Sequence, residues 1–304
     1  MNRFALRFSG VHKRYGRTRA LDGLSLDVPR GTLLGLVGPN GAGKTTAFSV
    51  ATGIVRPDSG TVDVLGDGPF DPARHAGRVT VLPQDCELAP HSSARQLLRF
   101  YAELGGQTRR ESIRDADRVL ALVRLEDKAD ARVRQLSHGM KRRLAVAQAL
   151  LGDPELVLLD EPTGGLDPHL VVEMREVLRA QRGARTVVVS SHILADLEAI
   201  CDRVAFLDEG RCVAEGPVDE LTRGGGLLRV RLEAMLELEG IGALAGRDVR
   251  WEGSTLVLTL VGDEDPAEVN AEILPALLEA GGRVLEVRLG ETLEDAYMAR
   301  HRPG

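Results

Sequence analysis

The sequence has no long hydrophobic run: nowhere do about 18 uncharged apolar residues follow one another, the length that a membrane-crossing helix needs. Any link to a membrane is therefore expected to pass through a partner. The opening Met1-Asn-Arg-Phe-Ala-Leu-Arg-Phe carries no apolar stretch of the signal-peptide kind, so a strand is expected directly. Cysteine is scarce. Cys86, Cys201 and Cys212 are odd in number, widely spaced and form no C-x-x-C pair, and they read as reduced thiols of a cytosolic protein. No Lys/Arg block stands out and the formal net charge is −6, so a nucleic-acid or anionic-membrane role gets no electrostatic support. Internal repeats and low-complexity segments are missing as well. What remains, 304 residues with 43% hydrophobic content, suits a large globular domain with a full core plus a small one.

Two kinds of apolar pattern recur. Phe4–Phe8 and Leu24–Val28 alternate apolar and polar residues, the pattern of half-buried antiparallel strands. Leu33–Val37, Val79–Leu82, Leu156–Leu159 and Thr186–Val189 are continuous Val/Leu-rich runs, which fit strands covered on both faces by helices in a parallel sheet. From about Ser92 to Arg134 the period changes: Leu97, Leu98, Tyr101 and Leu104, then Val119, Leu122 and Leu125, recur at helical spacing. This reads as a helical insertion, about 92–135, between two core strands. After Glu220-Leu221-Thr222, Arg223-Gly224-Gly225-Gly226 reads as a flexible joint. The expected boundaries are 1–222 for the large domain and 227–304 for a small α+β one. In the latter the spacing predicts strand Leu227–Glu233, helix Met235–Leu244, strands Asp248–Trp251 and Thr255–Val261, helix Pro266–Ala280, strand Arg283–Leu289 and a closing helix Thr292–Arg300. That order is the β-α-β-β-α-β, ferredoxin-like arrangement.

The run Leu33–Val37 ends in Gly38-Pro39-Asn40-Gly41-Ala42-Gly43-Lys44-Thr45-Thr46, which fits G-x-x-x-x-G-K-[ST] at every fixed position. The glycines let successive backbone N–H groups converge on phosphate oxygens, and the helix that follows adds a favourable dipole. Lys44 is suited to the β- and γ-phosphates of a nucleoside triphosphate and Thr45 to Mg²⁺. By itself this loop leaves kinases, GTPases, helicases and transport ATPases open. Leu156-Val157-Leu158-Leu159-Asp160-Glu161 is an apolar strand ending in two carboxylates. Asp160 is placed to reach the Mg²⁺ and Glu161 to polarise the water that attacks the γ-phosphate, although solvated acids also cap many ordinary strands.

The neighbouring residues narrow the class. Leu136-Ser137-His138-Gly139-Met140 resembles the L-S-G-G-Q signature of ABC-transporter ATPases, and Glu161-Pro162-Thr163-Gly164-Gly165-Leu166-Asp167-Pro168 resembles that family's Walker B extension and D-loop. Ser190-Ser191-His192 resembles its switch-histidine segment. Gln84 matches the Q-loop, and Tyr15 stands where the family stacks an aromatic on adenine. Singly, Tyr15 is also an ordinary aromatic, Gln84 a turn residue and His192 a helix cap. Six motifs in the right order over residues 1 to about 217 carry the resemblance.

The resemblance implies a P-loop cassette with a parallel core sheet, an antiparallel β subdomain and a helical insertion. It implies ATP and Mg²⁺ as ligands, bound by Tyr15, Gly38, Pro39, Asn40, Gly41, Ala42, Gly43, Lys44, Thr45, Thr46, Gln84, Asp160 and Asp167, with Thr45, Gln84 and Asp160 toward the metal. Glu161, His192, Lys44 and Gln84 would be catalytic. Ser137 and Gly139 would act from a second copy in a head-to-tail dimer, so that neither copy completes a site alone. The other partner would be a transmembrane permease subunit docked on the helical insertion, which would hold the chain at the inner face of the membrane; no nucleic acid is expected. The single cassette, the small C-terminal domain and Leu293-Glu294-Asp295-Ala296-Tyr297-Met298 look like ATPase subunits of ABC-2-type exporters, among them drug-exporter and NosF-type subunits. The alternative is an ABC ATPase acting on ribosomes or nucleic acid; the single cassette and the acidic balance speak against it. His138 and Met140 depart from the signature, at positions usually held by glycine and glutamine.

Overall fold

The computed structural model describes residues 3–222, 226–238, 241–261 and 264–300, and the chain divides into two compact units, Met1–Pro217 and Val218–Gly304. The first unit opens on two long antiparallel strands, β1 (Phe4–Tyr15) and β2 (Thr18–Pro29), paired from Phe4↔Pro29 to Tyr15↔Thr18. Both outrun the expected Phe4–Phe8 and Leu24–Val28. Their outer halves, around His12-Lys13-Arg14 and Thr18-Arg19-Ala20, lack apolar alternation and are held as strand by the ladder between them.

There follow β3 (Leu33–Val37), α1 (Lys44–Ala51), β4 (Ser59–Val64), the short α2 (Pro72–His75) and β5 (Val79–Leu82). β4 pairs with β1 and completes a three-stranded antiparallel sheet, β2-β1-β4. Residues 92–135 hold α3 (Ala94–Leu104), α4 (Arg109–Leu122) and two 3-10 turns. Each helix starts with a capping box: Ser93 and Thr108 accept from the N–H groups of Gln96 and Glu111, whose side chains accept in return from the cap N–H groups. The unit continues with α5 (His138–Ala149), β6 (Leu156–Asp160), α6 (Pro168–Arg179), β7 (Thr186–Ser191), α7 (Leu194–Ile200), β8 (Arg203–Asp208) and β9 (Arg211–Pro217).

The central sheet has the order β5-β6-β7-β3-β8-β9 and is parallel except for β9. Every residue of β3, β6 and β7 is buried, as continuous apolar runs require of a sheet covered on both faces. Ionised groups cannot sit along such strands and collect at their ends. β6, β7 and β3 are adjacent and in register, with Asp160↔Ser190 and Val37↔Ser191, so their C-terminal ends open side by side.

The second unit contains α8 (Val218–Thr222), β10 (Leu227–Leu232), β11 (Val249–Glu252), β12 (Thr255–Thr259), α9 (Pro266–Glu279), β13 (Val284–Leu289) and α10 (Leu293–Arg300). The sheet β11-β12-β10-β13 is antiparallel throughout. One expected element is corrected: no helix forms over Met235–Leu244. Residues 233–238 are irregular, Gly242–Leu244 is a single 3-10 turn, and Glu239 and Gly240 lie outside the described residues. Leu236, Leu238, Ile241 and Ala243 still pack on the core of this unit, so the segment is held by its apolar side chains without a helix among the described residues. Most of the expected joint, Arg223–Gly225, also lies outside the described residues.

Candidate functional site

The loop between β3 and α1 is shaped by close backbone approach. A Cβ on Gly38 would meet the Leu207 carbonyl oxygen at 2.3 Å, and one on Gly43, whose φ is +104°, would meet that of Ala20 at 2.4 Å. Only glycine fits both places. Lys44, the first residue of α1, is buried, and its ammonium donates to the carbonyl oxygens of Gly38 (2.6 Å) and Pro39 (3.2 Å). Burial pushes its pKa down, and the negative charges of Glu161 and Asp160 oppose that shift. The Glu161 carboxylate lies 4.0 Å from the ammonium.

The acidic pair at the end of β6 is buried, with Asp160 1% and Glu161 7% exposed. Thr45 Oγ1 donates to one Asp160 oxygen at 2.7 Å, and the Ser190 hydroxyl donates to the other. Ser190 also accepts from Glu161 N–H at 3.0 Å. Glu161 has φ of +51°, a left-handed backbone uncommon for a residue with a side chain and typical of constrained functional positions. The turn aims its carboxylate at His192, whose Nδ1 lies 2.9 Å from Oε2. An ionised carboxylate only accepts, so Nδ1–H is the donor in this contact. His192 is more than half exposed.

A residue that sequence reasoning did not select holds these parts together. Arg142 on α5 donates through Nη2 to the carbonyl oxygens of Asp160 (2.7 Å) and Glu161 (2.5 Å), through Nε to Pro162 O (3.3 Å) and through Nη1 to Gln84 O (3.1 Å). One guanidinium thus ties the end of β6 to the loop after β5 and to the helix that follows the signature motif. Burial lowers its pKa, with Cys86, Asp160 and Glu161 acting the other way. The sequence signal was weak, because Lys141-Arg142-Arg143 looks like the charged face of any helix. Ser190 was passed over for its neighbour His192, and nothing in its type marked it.

The remaining candidates are spread around this cluster. Pro39, Asn40 and Gly41 are exposed at the loop tip, Ala42 is buried and Thr46 is half-buried on α1. Gln84 is exposed and enters the network through its carbonyl alone among the hydrogen bonds described. Tyr15 is half exposed at the end of β1, with the Lys13 ammonium 5.7 Å from its ring centroid, and is not part of the hydrogen-bonded cluster. Ser137 caps α5 by accepting from Met140 N–H at 3.2 Å. Asp167 caps α6 by accepting from Leu170 N–H at 3.0 Å. Gly139 packs closely under Leu170: a Cβ there would lie 2.3 Å from Leu170 Cδ1, so that the leucine side chain would have to shift. His138, by contrast, is exposed, and its ring rests against Gly165 of the β6–α6 loop, which explains why a side chain is tolerated at that signature position.

Hard oxygen donors from Thr45 and Asp160 next to a glycine-built loop and a buried ammonium suit a phosphate with a small divalent cation, which takes few protein ligands. Among the described residues no group of three or more His, Cys, Asp or Glu side chains could hold a metal by itself. A mainly parallel sheet with this loop at the end of β3 and two acids at the end of β6, one strand beyond its neighbour β7, defines a P-loop nucleotide hydrolase. The family described as "ABC transporter" matches residues 21–164. The "Nod factor export ATP-binding protein I" of Burkholderia orbicola (strain AU 1054) is 42% identical over 213 residues, 69% of this chain and 69% of that protein. Its namesake in Mesorhizobium japonicum (strain LMG 29417 / CECT 9101 / MAFF 303099) is 43% identical over 215 residues, 70% of this chain and 63% of that one. Among solved structures, cbiO1 from Clostridium perfringens, part of the ABC transporter complex cbiONQ, superposes with a TM-score of 0.65 at 29% identity, covering 72% of this chain and 91% of that one. The chain belongs to the ABC transporter family, as an ATP-binding subunit that hydrolyses ATP to power transport.

Proposed function

We infer that the site is half of a shared ATPase centre that drives export through a separate transmembrane subunit. Lys44 and the backbone N–H groups from Gly38 to Thr46 would hold the phosphates, Tyr15 the adenine, and Thr45, Asp160 and Gln84 would hold Mg²⁺. The cation would neutralise charge on the phosphate oxygens when bound. Glu161 takes a hydrogen bond from the attacking water, and His192 keeps that carboxylate aimed. Ser137 and Gly139 would complete the site of a second copy, with Asp167 at the same boundary. The observation that carries this reading is the Lys44–Glu161–His192 cluster, which sets a buried cation, a buried base and its orienting imidazole around one opening. Export is supported by the relatives, which are named as export ATP-binding proteins. A separate membrane subunit is supported because, among the described residues, no helix is long and apolar enough to cross a membrane.

Glu161→Gln tests the assignment. The variant is expected to bind ATP, to accumulate a nucleotide-held dimer seen by sedimentation, and to lose on the order of 10²-fold or more in kcat. Turnover at the wild-type rate would remove Glu161 from its role.

A further inference from the structure

The two edges of the β11-β12-β10-β13 sheet differ. β11 is four residues long and alternates Val249 and Trp251 with exposed Arg250 and Glu252, the short and charged kind of edge that resists pairing. β13 is six residues long, and among the described residues no strand lies on its outer side. Its apolar residues face out: Leu285 is 54%, Val287 37% and Leu289 54% exposed. Val287 and Leu289 stand opposite Val230 and Leu228 of β10, which are fully buried, so the apolar face of the sheet runs past the cover that protects its centre. Alternation along the strand puts Leu285 on the same face as Val287 and Leu289, and the register slip between Arg231 and Leu232 leaves Leu285 without a partner on β10 and sets Val284 opposite Leu232.

We propose that β13 pairs antiparallel with β13 of a second copy about a two-fold axis at Val287, joining two four-stranded sheets into one. The sequence of the strand is self-complementary in that register alone. Val287 meets its own mate on the axis, while Leu285 meets the partner's Leu289 and Glu286 meets the partner's Arg288, these last two pairs each occurring twice. A slip of one residue would set Leu285 against the partner's Arg288, and a slip of two would set Glu286 against the partner's Glu286. Six residues a side bury less than the roughly 1,000 Å² of an independent interface. The contact therefore strengthens a dimer held elsewhere, and in that respect it rests on the ATP-bound dimer inferred above.

The test uses the full chain carrying Glu161→Gln, with ATP and Mg²⁺, in sedimentation equilibrium. Arg288→Glu and Glu286→Arg, each alone, are expected to raise the dimer dissociation constant about tenfold by setting like charges opposite each other. An equimolar mixture of the two variants is expected to restore parental affinity, because the mixed pair is complementary while every defect within each chain persists. A mixture no tighter than either variant alone would overturn the proposal. A monomeric parent under these conditions would instead refute the nucleotide-held dimer. The edge contact is then still tested by Val287→Cys without nucleotide, which is expected to give a disulfide between the two substituted positions. Oxidised products joined only through Cys86 or Cys212, or none at all, would count against it. If Val287→Asp left self-association unchanged and instead released the membrane subunit on co-purification, the edge would belong to that subunit and the proposal would fail.

Discussion

The two sheets of this protein treat polar groups in opposite ways. In β5-β6-β7-β3-β8-β9 the central strands are buried along their whole length, and Lys44, Asp160, Glu161, Ser190 and His192 gather where those strands end. In β11-β12-β10-β13 the polar groups lie along the strands: Arg229, in the middle of β10, is 7% exposed and is held by Glu252 (2.7 Å) and Asp295 (2.6 Å). A sheet covered on both faces concentrates charge at one rim, where it can act on a ligand. A sheet with charge along its strands uses it to fasten its own layers, and there Asp295 belongs to α10, so the triad joins helix to sheet.

Four experiments would break or sharpen that contrast. The largest effect is expected at the rim: Lys44→Ala removes the buried cation between loop and acids and should weaken ATP binding about 100-fold, some 2.7 kcal/mol, in a filter or calorimetric assay. Arg142→Met should lower kcat about tenfold or more with little change in KM, because it misplaces Asp160, Glu161 and Gln84 without touching substrate. A change confined to thermal stability would reduce Arg142 to a structural staple. In the second sheet, Arg229→Ala should cost about 2 kcal/mol in denaturant unfolding by leaving Glu252 and Asp295 without their cation, and kcat should stay put. An equal loss of ATPase activity would show that the two regions are not separable in this sense.

The smallest effect concerns Glu155, just before β6 and at the opposite end of that strand from the acidic rim. Arg78 (2.6 Å) and Arg30 (2.8 Å) hold its carboxyl below the usual carboxylate value, with Arg78 the larger cause. A depressed folded-state pKa stabilises above the unfolded value of 4.5, and the gain is lost as pH falls through the lower folded value. Glu155 is largely solvated, so Glu155→Gln should cost about 0.5 kcal/mol at neutral pH, a cost that fades as pH falls through the folded-state value, measured by urea unfolding.

The rim was readable in advance and the fastening was not. Leu33–Val37 forms a strand with the bounds its apolar run suggests, because a strand buried at every position leaves no room for charge, and Val79–Leu82, half-buried at the sheet edge, keeps its bounds too. The residues after them matched the motifs for the same reason: chemistry at a strand end needs a fixed residue type at a fixed offset. The failed helix Met235–Leu244 shows the limit. Leu236, Leu238, Ile241 and Leu244 mix spacings of two and three, and Gly240 and Gly242 weaken any helix, so apolar content fixed burial without fixing the backbone. Arg142 and Ser190 act through backbone groups 18 to 58 residues away along the chain or through a neighbouring strand, contacts that no local pattern encodes.

The sequence by itself determined the phosphate loop, the acidic pair and the order of the motifs, since each follows from local spacing and side-chain chemistry. Only the tertiary structure decided that Glu161 turns onto His192, that Arg142 binds three segments together, and that β13 is left with its apolar side uncovered. Those outcomes depend on which strands become neighbours. Strand order is set by the packing of the whole sheet, through pairings between residues far apart in the chain.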